Sequence, residues 1–146
     1  MITLTINDRA LRQALQALET AATDMTPAMR KIAGTLLSQT QQNFEEEGRP
    51  AWEPSLAAQE RQGQTLQDSR RLYSSVSTVY DSRSAGVGTN LVYAAIHQFG
   101  GEAGRRHAVT LPARPYLPLT GDDGLQPEAE RAVLDTIVRH LESAVR

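Results

Sequence analysis

The sequence predicts an α+β fold: a small antiparallel sheet of about four short strands packed with three longer helices in a single domain. Three observations lead there. Segments with the two-residue period of a strand and segments with the 3.6-residue period of a helix follow one another without strict alternation, unlike a parallel βαβ array. The 146 residues, 40% of them hydrophobic, suit one compact domain with a real core. No internal repeat or heptad run points to a solenoid or coiled coil.

The elements follow in order. Ile2, Leu4 and Ile6 alternate with threonines, the pattern of a half-buried strand, and Asn7 or Asp8 then serves as a helix N-cap. Leu11, Ala14, Leu15 and Leu18 form one stripe of the first helix, expected to face the core. Thr26-Pro27 marks a second start, a cap followed by proline at the first helical position, and Met29, Ile32, Ala33, Leu36, Leu37 and Phe44 continue its apolar face until Gly48 and Pro50 end it. Residues 50–68 are polar and Gln-rich, a loop holding a short helix around 55–62. One helical turn at Ser69–Ser74 precedes a hairpin over residues 75–89, with its turn at Ser82–Ser84. Leu91, Ala94, Ala95 and Ile96 fall in a short helix capped by Gly100 or Gly101. Residues 100–108 read as a second flexible loop beside the one near 49–68, and VTLPARPYLPL is extended because its prolines forbid a helix. Asp122–Arg146 is a last amphipathic helix on Leu125, Ala129, Val133, Ile137 and Leu141.

Composition narrows the function. A net charge of −2 argues against electrostatic coating of nucleic acid. The absence of cysteine removes disulfides, thiolate metal sites and a Cys nucleophile together. The N-terminus lacks a signal-peptide pattern, and no run of 18 apolar residues suggests a membrane span. Charge is uneven: residues 1–48 sum to −2, 49–121 to +3 and 122–146 to −3, so opposite faces of neighbouring copies are able to attract, although ordinary solvated charge explains the pattern equally well.

Chemistry-bearing motifs are sparse. His97, His107 and His140, with Glu102, have no recognised ligand spacing, and no serine sits in a nucleophile elbow. No cofactor motif is present; the glycines of GVGTN are explained by a strand end. Glu45, Glu46 and Glu47 read as a solvated helix end rather than a docking patch. The pairs Arg70-Arg71 and Arg105-Arg106 suit carboxylates of a neighbouring subunit better than DNA phosphate, given the negative total.

Three islands stand out: GRPAWEP at 48–54, YAAIHQFGG at 93–101 and LPARPYLPL at 111–119. Each sets an aromatic ring beside residues that fix the backbone. In this order, ahead of a C-terminal helix, they resemble the phage virion morphogenesis family, which includes tail completion proteins of contractile-tailed and Mu-like phages. The resemblance runs from about residue 25 to 146 and rests on "YAAIHQFGG" followed by "PARPYL". SRRLYSSVSTVYD also resembles a family stretch, though Arg70-Arg71 stand where a small-residue turn is more usual, and Tyr116 replaces the commoner Phe.

The resemblance implies a non-enzymatic structural protein that completes the tail or the head-tail junction. It implies assembly in the bacterial host cytoplasm and residence in the virion. The expected partners are further copies of itself, a hexameric ring among the options, and tail tube or head-tail connector proteins; neither membrane nor nucleic acid is expected. Ring building needs a heterologous contact. The expected interface or loop-anchoring residues are Trp52, Tyr93, His97, Gln98, Phe99, Arg114, Pro115 and Tyr116. Trp52, Tyr93 and Phe99 would anchor loops to the core, His97 and Gln98 would satisfy backbone groups of PARPYL, and Arg114 would bridge to a carboxylate on another chain. Two alternatives stay open: a metal-dependent hydrolase at His97, Glu102 and His107, and a DNA-contacting module of the neck channel using Arg70, Arg71, Arg105 and Arg106.

Overall fold

A computed structural model describes residues 9–68, 70–120 and 124–145; the strand expected at 2–6, the cap at Asn7 or Asp8, the side chain of Leu11, and residues Ser69, Asp122 and Arg146 lie outside the described set. Helix α1 spans Arg9–Thr23 and α2 spans Thr26–Glu45. The break between them is chemical. The hydroxyls of Thr20 and Thr23 bond back to the carbonyls of Gln16 and Glu19, and Asp24 Oδ1 accepts the Thr26 N–H. The cap position of α2 is Met25, without a side-chain bond, so Thr26 is its first helical residue rather than its N-cap, with Pro27 in the first turn as expected.

Ala28, Ala33, Leu36, Gln39, Thr40, Asn43 and Phe44 form the buried face of α2. The N-terminal half of this helix packs on α6, Pro127–Ala144. Thr35 and Thr136 share a hydroxyl contact of 2.6 Å there, and Lys31 Nζ meets His140 Nδ1 at 3.0 Å. Helix α1 lies against α6, and its expected core stripe is not core: Leu15 is 57% exposed and Leu18 half-buried. Amphipathicity alone does not say which neighbour covers an apolar stripe.

The hairpin expected at 75–89 is present, with β1 (Ser77–Tyr80) antiparallel to β2 (Ala85–Gly88) and Ser77 opposite Gly88. Asp81 builds the turn. Its Oδ1 accepts the backbone N–H groups of Arg83 and Ser84 and the Ser84 hydroxyl. These bonds, the Arg83 N–H first, hold the Asp81 carboxyl below its ordinary value. The hairpin lies along α2, preceded by the short helices α3 (Leu56–Glu60) and α4 (Arg71–Ser75). Ser55 caps α3 by accepting the Ala58 N–H. The glutamines of this segment act locally. Gln64 and Gln67 donate to the carbonyls of Glu45 and Phe44 in the last turn of α2.

The α+β class holds, but the single four-stranded sheet does not. Among the described residues there are two separate two-stranded sheets. Helix α5 (Ala94–Phe99) leads directly into β3 (Gly101–Ala103), which pairs antiparallel with β4 (Val109–Leu111). The segment expected to be a flexible loop at 100–108 is thus mostly a hairpin, its tip a 3₁₀ turn at Arg105–His107. Pro112, Pro115 and Pro118 deny backbone donors to the chain beyond β4, so the ladder cannot extend. The C-terminal helix begins at Pro127 rather than Asp122, and Leu125 pairs with Leu119 in an isolated bridge instead of joining the helical face.

Candidate functional site

The three islands converge on one cluster at the C-terminal end of α2. Its apolar part is Phe44, Trp52, Leu72, Val76, Ala94 and Tyr116. The Phe44 ring stacks on Tyr116 at 5.2 Å and meets Trp52 and Tyr73 edge to face at 6.0 and 5.4 Å.

A polar network wraps this cluster. Asn43, fully buried, donates through Nδ2 to the Tyr116 carbonyl and to Gln126 Oε1. Its Oδ1 accepts Arg49 Nε, while Arg49 also donates to Gln42 Oε1 and to both oxygens of Gln39. Gln126, just ahead of α6, donates to the Arg49 carbonyl. Gln98 Oε1 accepts the N–H groups of both Tyr116 and Leu117 at 3.0 Å. The Tyr116 hydroxyl donates to the Ala94 carbonyl, and the Trp52 indole to the Pro115 carbonyl. In a segment whose prolines exclude it from a sheet, the backbone groups of Pro115, Tyr116 and Leu117 are thus satisfied by side chains.

Two glycines make the convergence possible. Gly48 has φ of 103°, and a Cβ there would lie 2.5 Å from Trp52 Cδ1. Gly100, at φ of 73°, ends α5 where a Cβ would meet the Ala113 nitrogen at 2.7 Å.

The structure sorts the expected residues unevenly. Trp52, Gln98 and Tyr116 lie inside the cluster, and the Pro115 carbonyl is one of its acceptors. Tyr93 and Phe99 do not anchor loops to the core: they are 40% and 75% exposed, because α5 turns Ala94 and Gln98 inward. His97 serves PARPYL through its backbone carbonyl, which accepts the Arg114 N–H, while its ring meets Tyr93 edge to face. Burial, and secondly the Arg114 guanidinium, hold the His97 imidazole below its ordinary value, and burial raises Tyr116 above its own. Arg114 is 6% exposed and donates through Nε to the Glu53 carbonyl, so it works within the chain rather than reaching for a carboxylate elsewhere.

The alternatives find little support in this geometry. His97 is on α5, Glu102 in β3 and His107 at the hairpin tip, and no three His, Asp or Glu side chains gather as a metal set among the described residues. Arg70 lies over the Tyr73 ring at 4.5 Å and, with Arg71, borders a cleft of about 310 Å³ that Arg114 also lines. Arg105 and Arg106 belong to a different feature, the exposed β3–β4 tip. No described helix is long and apolar enough to cross a membrane.

Arg49 lies within the GRPAWEP island, but Asn43, Gln39 and Gln126 escape a reading by motif. Their signal in the sequence is polar residues at i and i+4, Gln39 and Asn43, set on the apolar face of α2 between Leu36 and Phe44.

Fold and site together define a small α+β module organised around an internal polar cluster. The chain belongs to the phage virion morphogenesis family, which it matches over residues 6–142. It is 48% identical over 124 residues to Mu-like prophage FluMu G protein 2 of Haemophilus influenzae, covering 84% of this chain and 88% of that one. It is 31% identical over 154 aligned positions to the putative capsid assembly protein G of Escherichia phage Mu, covering 97% and 94%. No solved structure matches it. Family and relatives support a structural role in phage morphogenesis.

Proposed function

We propose that this protein completes the phage tail or the head-tail junction, acting without catalysis, by ring-like self-association and by docking on neighbouring virion proteins. Its partners are further copies of itself and the tail tube or head-tail connector. It is assembled in the host cytoplasm and retained in the virion. The observation that carries the proposal is that all three motif islands end in one network of buried hydrogen bonds, centred on Asn43, Gln98 and Tyr116. Their polar groups are spent on holding backbone in place, as suits a rigid part presenting fixed surfaces. Assembly is also what the name of the Mu relative describes.

The test is deletion of the gene from an inducible prophage, followed by electron microscopy of the lysate. Unjoined heads and unfinished tails, cured by the gene supplied in trans, are the expected result. Normal infectious virions from the deletion strain would refute the proposal.

A further inference from the structure

A cavity of about 620 Å³ opens beside the polar cluster, between the GRPAWEP and LPARPYLPL islands and the start of α6. Pro50, Trp52, Pro115 and Leu119 give it apolar walls; Glu53 and Glu128 supply two carboxylates, and the one cation of the lining, Arg49, has its guanidinium engaged by Asn43, Gln42 and Gln39. Glu128 is distinctive: its Oε2 is shut off from solvent and accepts no hydrogen bond among the described residues. A buried acceptor left this way is costly unless a donor arrives. Apolar walls with a carboxylate at hand suit an arginine side chain, whose stem packs on proline and indole while its guanidinium meets the carboxylate.

The chain carries such a group elsewhere. The β3–β4 tip presents Arg105 and Arg106 side by side, both exposed and neither side chain making a hydrogen bond or ion pair among the described residues. The tip backbone turns sharply, with φ of 79° at Gly104, 60° at Arg106 and 56° at His107. No tip residue lines the cavity of its own chain.

We propose that the cavity is an arginine-accepting site and that its occupant is the β3–β4 tip of a second copy. Arg105 or Arg106 enters between Trp52 and the prolines and pairs with Glu128, with Glu53 at the rim. Tip and cavity are different surfaces of one chain and carry opposite charge, so the contact is heterologous and each copy offers one of each. The proposal rests on the self-association reading and names the surfaces that carry it.

Sedimentation velocity of the purified full chain at low salt tests it, with circular dichroism to establish folding. The wild type is expected to associate. The tip variant R105E/R106E and the cavity variant E53R/E128R should each associate at least about tenfold more weakly. A chain with both sets of changes should regain association, since the charges are complementary again. Because the natural chain has no cysteine, R106C/E53C provides a second readout: oxidation should give a ladder of covalent multimers. If the cavity variant fails to fold, the tip variant, altered only at exposed positions, and the cysteine pair still decide. Unchanged association of the tip variant, or no ladder, overturns the tip-in-cavity contact while self-association stands. A wild type that stays monomeric at every concentration overturns both.

Discussion

Replacing Gln98 with methionine keeps nearly the same volume and shape but removes the one oxygen that holds two adjacent backbone amides. The Tyr116 N–H is buried and left with no partner, a loss of about 1–3 kcal/mol. The Leu117 N–H is partly buried and recovers some of its loss through water, leaving about 1 kcal/mol. The total, about 2–4 kcal/mol, is a large share of the roughly 5–15 kcal/mol that holds a domain folded. For a chain of this size it lowers Tm by about 6–15 °C. Urea unfolding followed by the fluorescence of Trp52, the sole tryptophan and a member of the same cluster, measures the change. The slope of the transition should stay constant while the midpoint falls. Amide exchange should accelerate at Tyr116 and Leu117 before other buried positions. Gln59→Met on the exposed side of α3 should change stability by less than about 0.5 kcal/mol. A Gln98→Met protein as stable as wild type would refute the assignment of Gln98 as the clamp on this segment.

Three further outcomes follow from the same geometry. Asn43→Leu should cost about 3–5 kcal/mol in urea unfolding, because it strands the Tyr116 carbonyl and Gln126 Oε1 and takes the acceptor from Arg49 Nε. Gly100→Ala should destabilise by about 2–4 kcal/mol, since positive φ and the Ala113 nitrogen both oppose a Cβ; a neutral effect on Tm would contradict the close approach drawn here. His97 should make stability pH-dependent. Its folded value is depressed, chiefly by burial, so the unfolded chain binds the proton first as pH falls through about 6.5 and stability drops there. Tm scans from pH about 7.5 to about 5.5 should show a decline that is shallower in His97→Gln; equal slopes would remove His97 as its source.

Much of the architecture was legible in the sequence because strong periodicity and punctuation agree. Pro27, the apolar face ending in Phe44, the strands around Asp81 and the glycine after Phe99 each mark an element the structure contains. What failed was pairing and cover. β3 and β4 have three residues each, too few to show alternation, and glycines at 100, 101 and 104 make the stretch look like a loop. The stripe through Leu15 is apolar, yet Leu15 is exposed and Leu18 only half-buried, and periodicity carries no information about the neighbour. Gln98 was legible because it sits in a backbone-fixing island; Asn43 and Gln126 were not, since a polar residue on or before a helix ordinarily faces water. Arg114 illustrates the same limit in reverse: its charge suggests a partner outside, yet its place beside Glu53 makes it an internal brace.

The central claim is that copies of this module are a fixed part of the finished particle. A cryo-electron microscopy reconstruction of the purified virion at the end of the tail and at the neck tests it most directly. The expected map contains a closed ring of identical copies, each fitting the fold described above and touching the next through unlike surfaces. A complete, infectious particle whose map and mass spectrum lack the chain would contradict it.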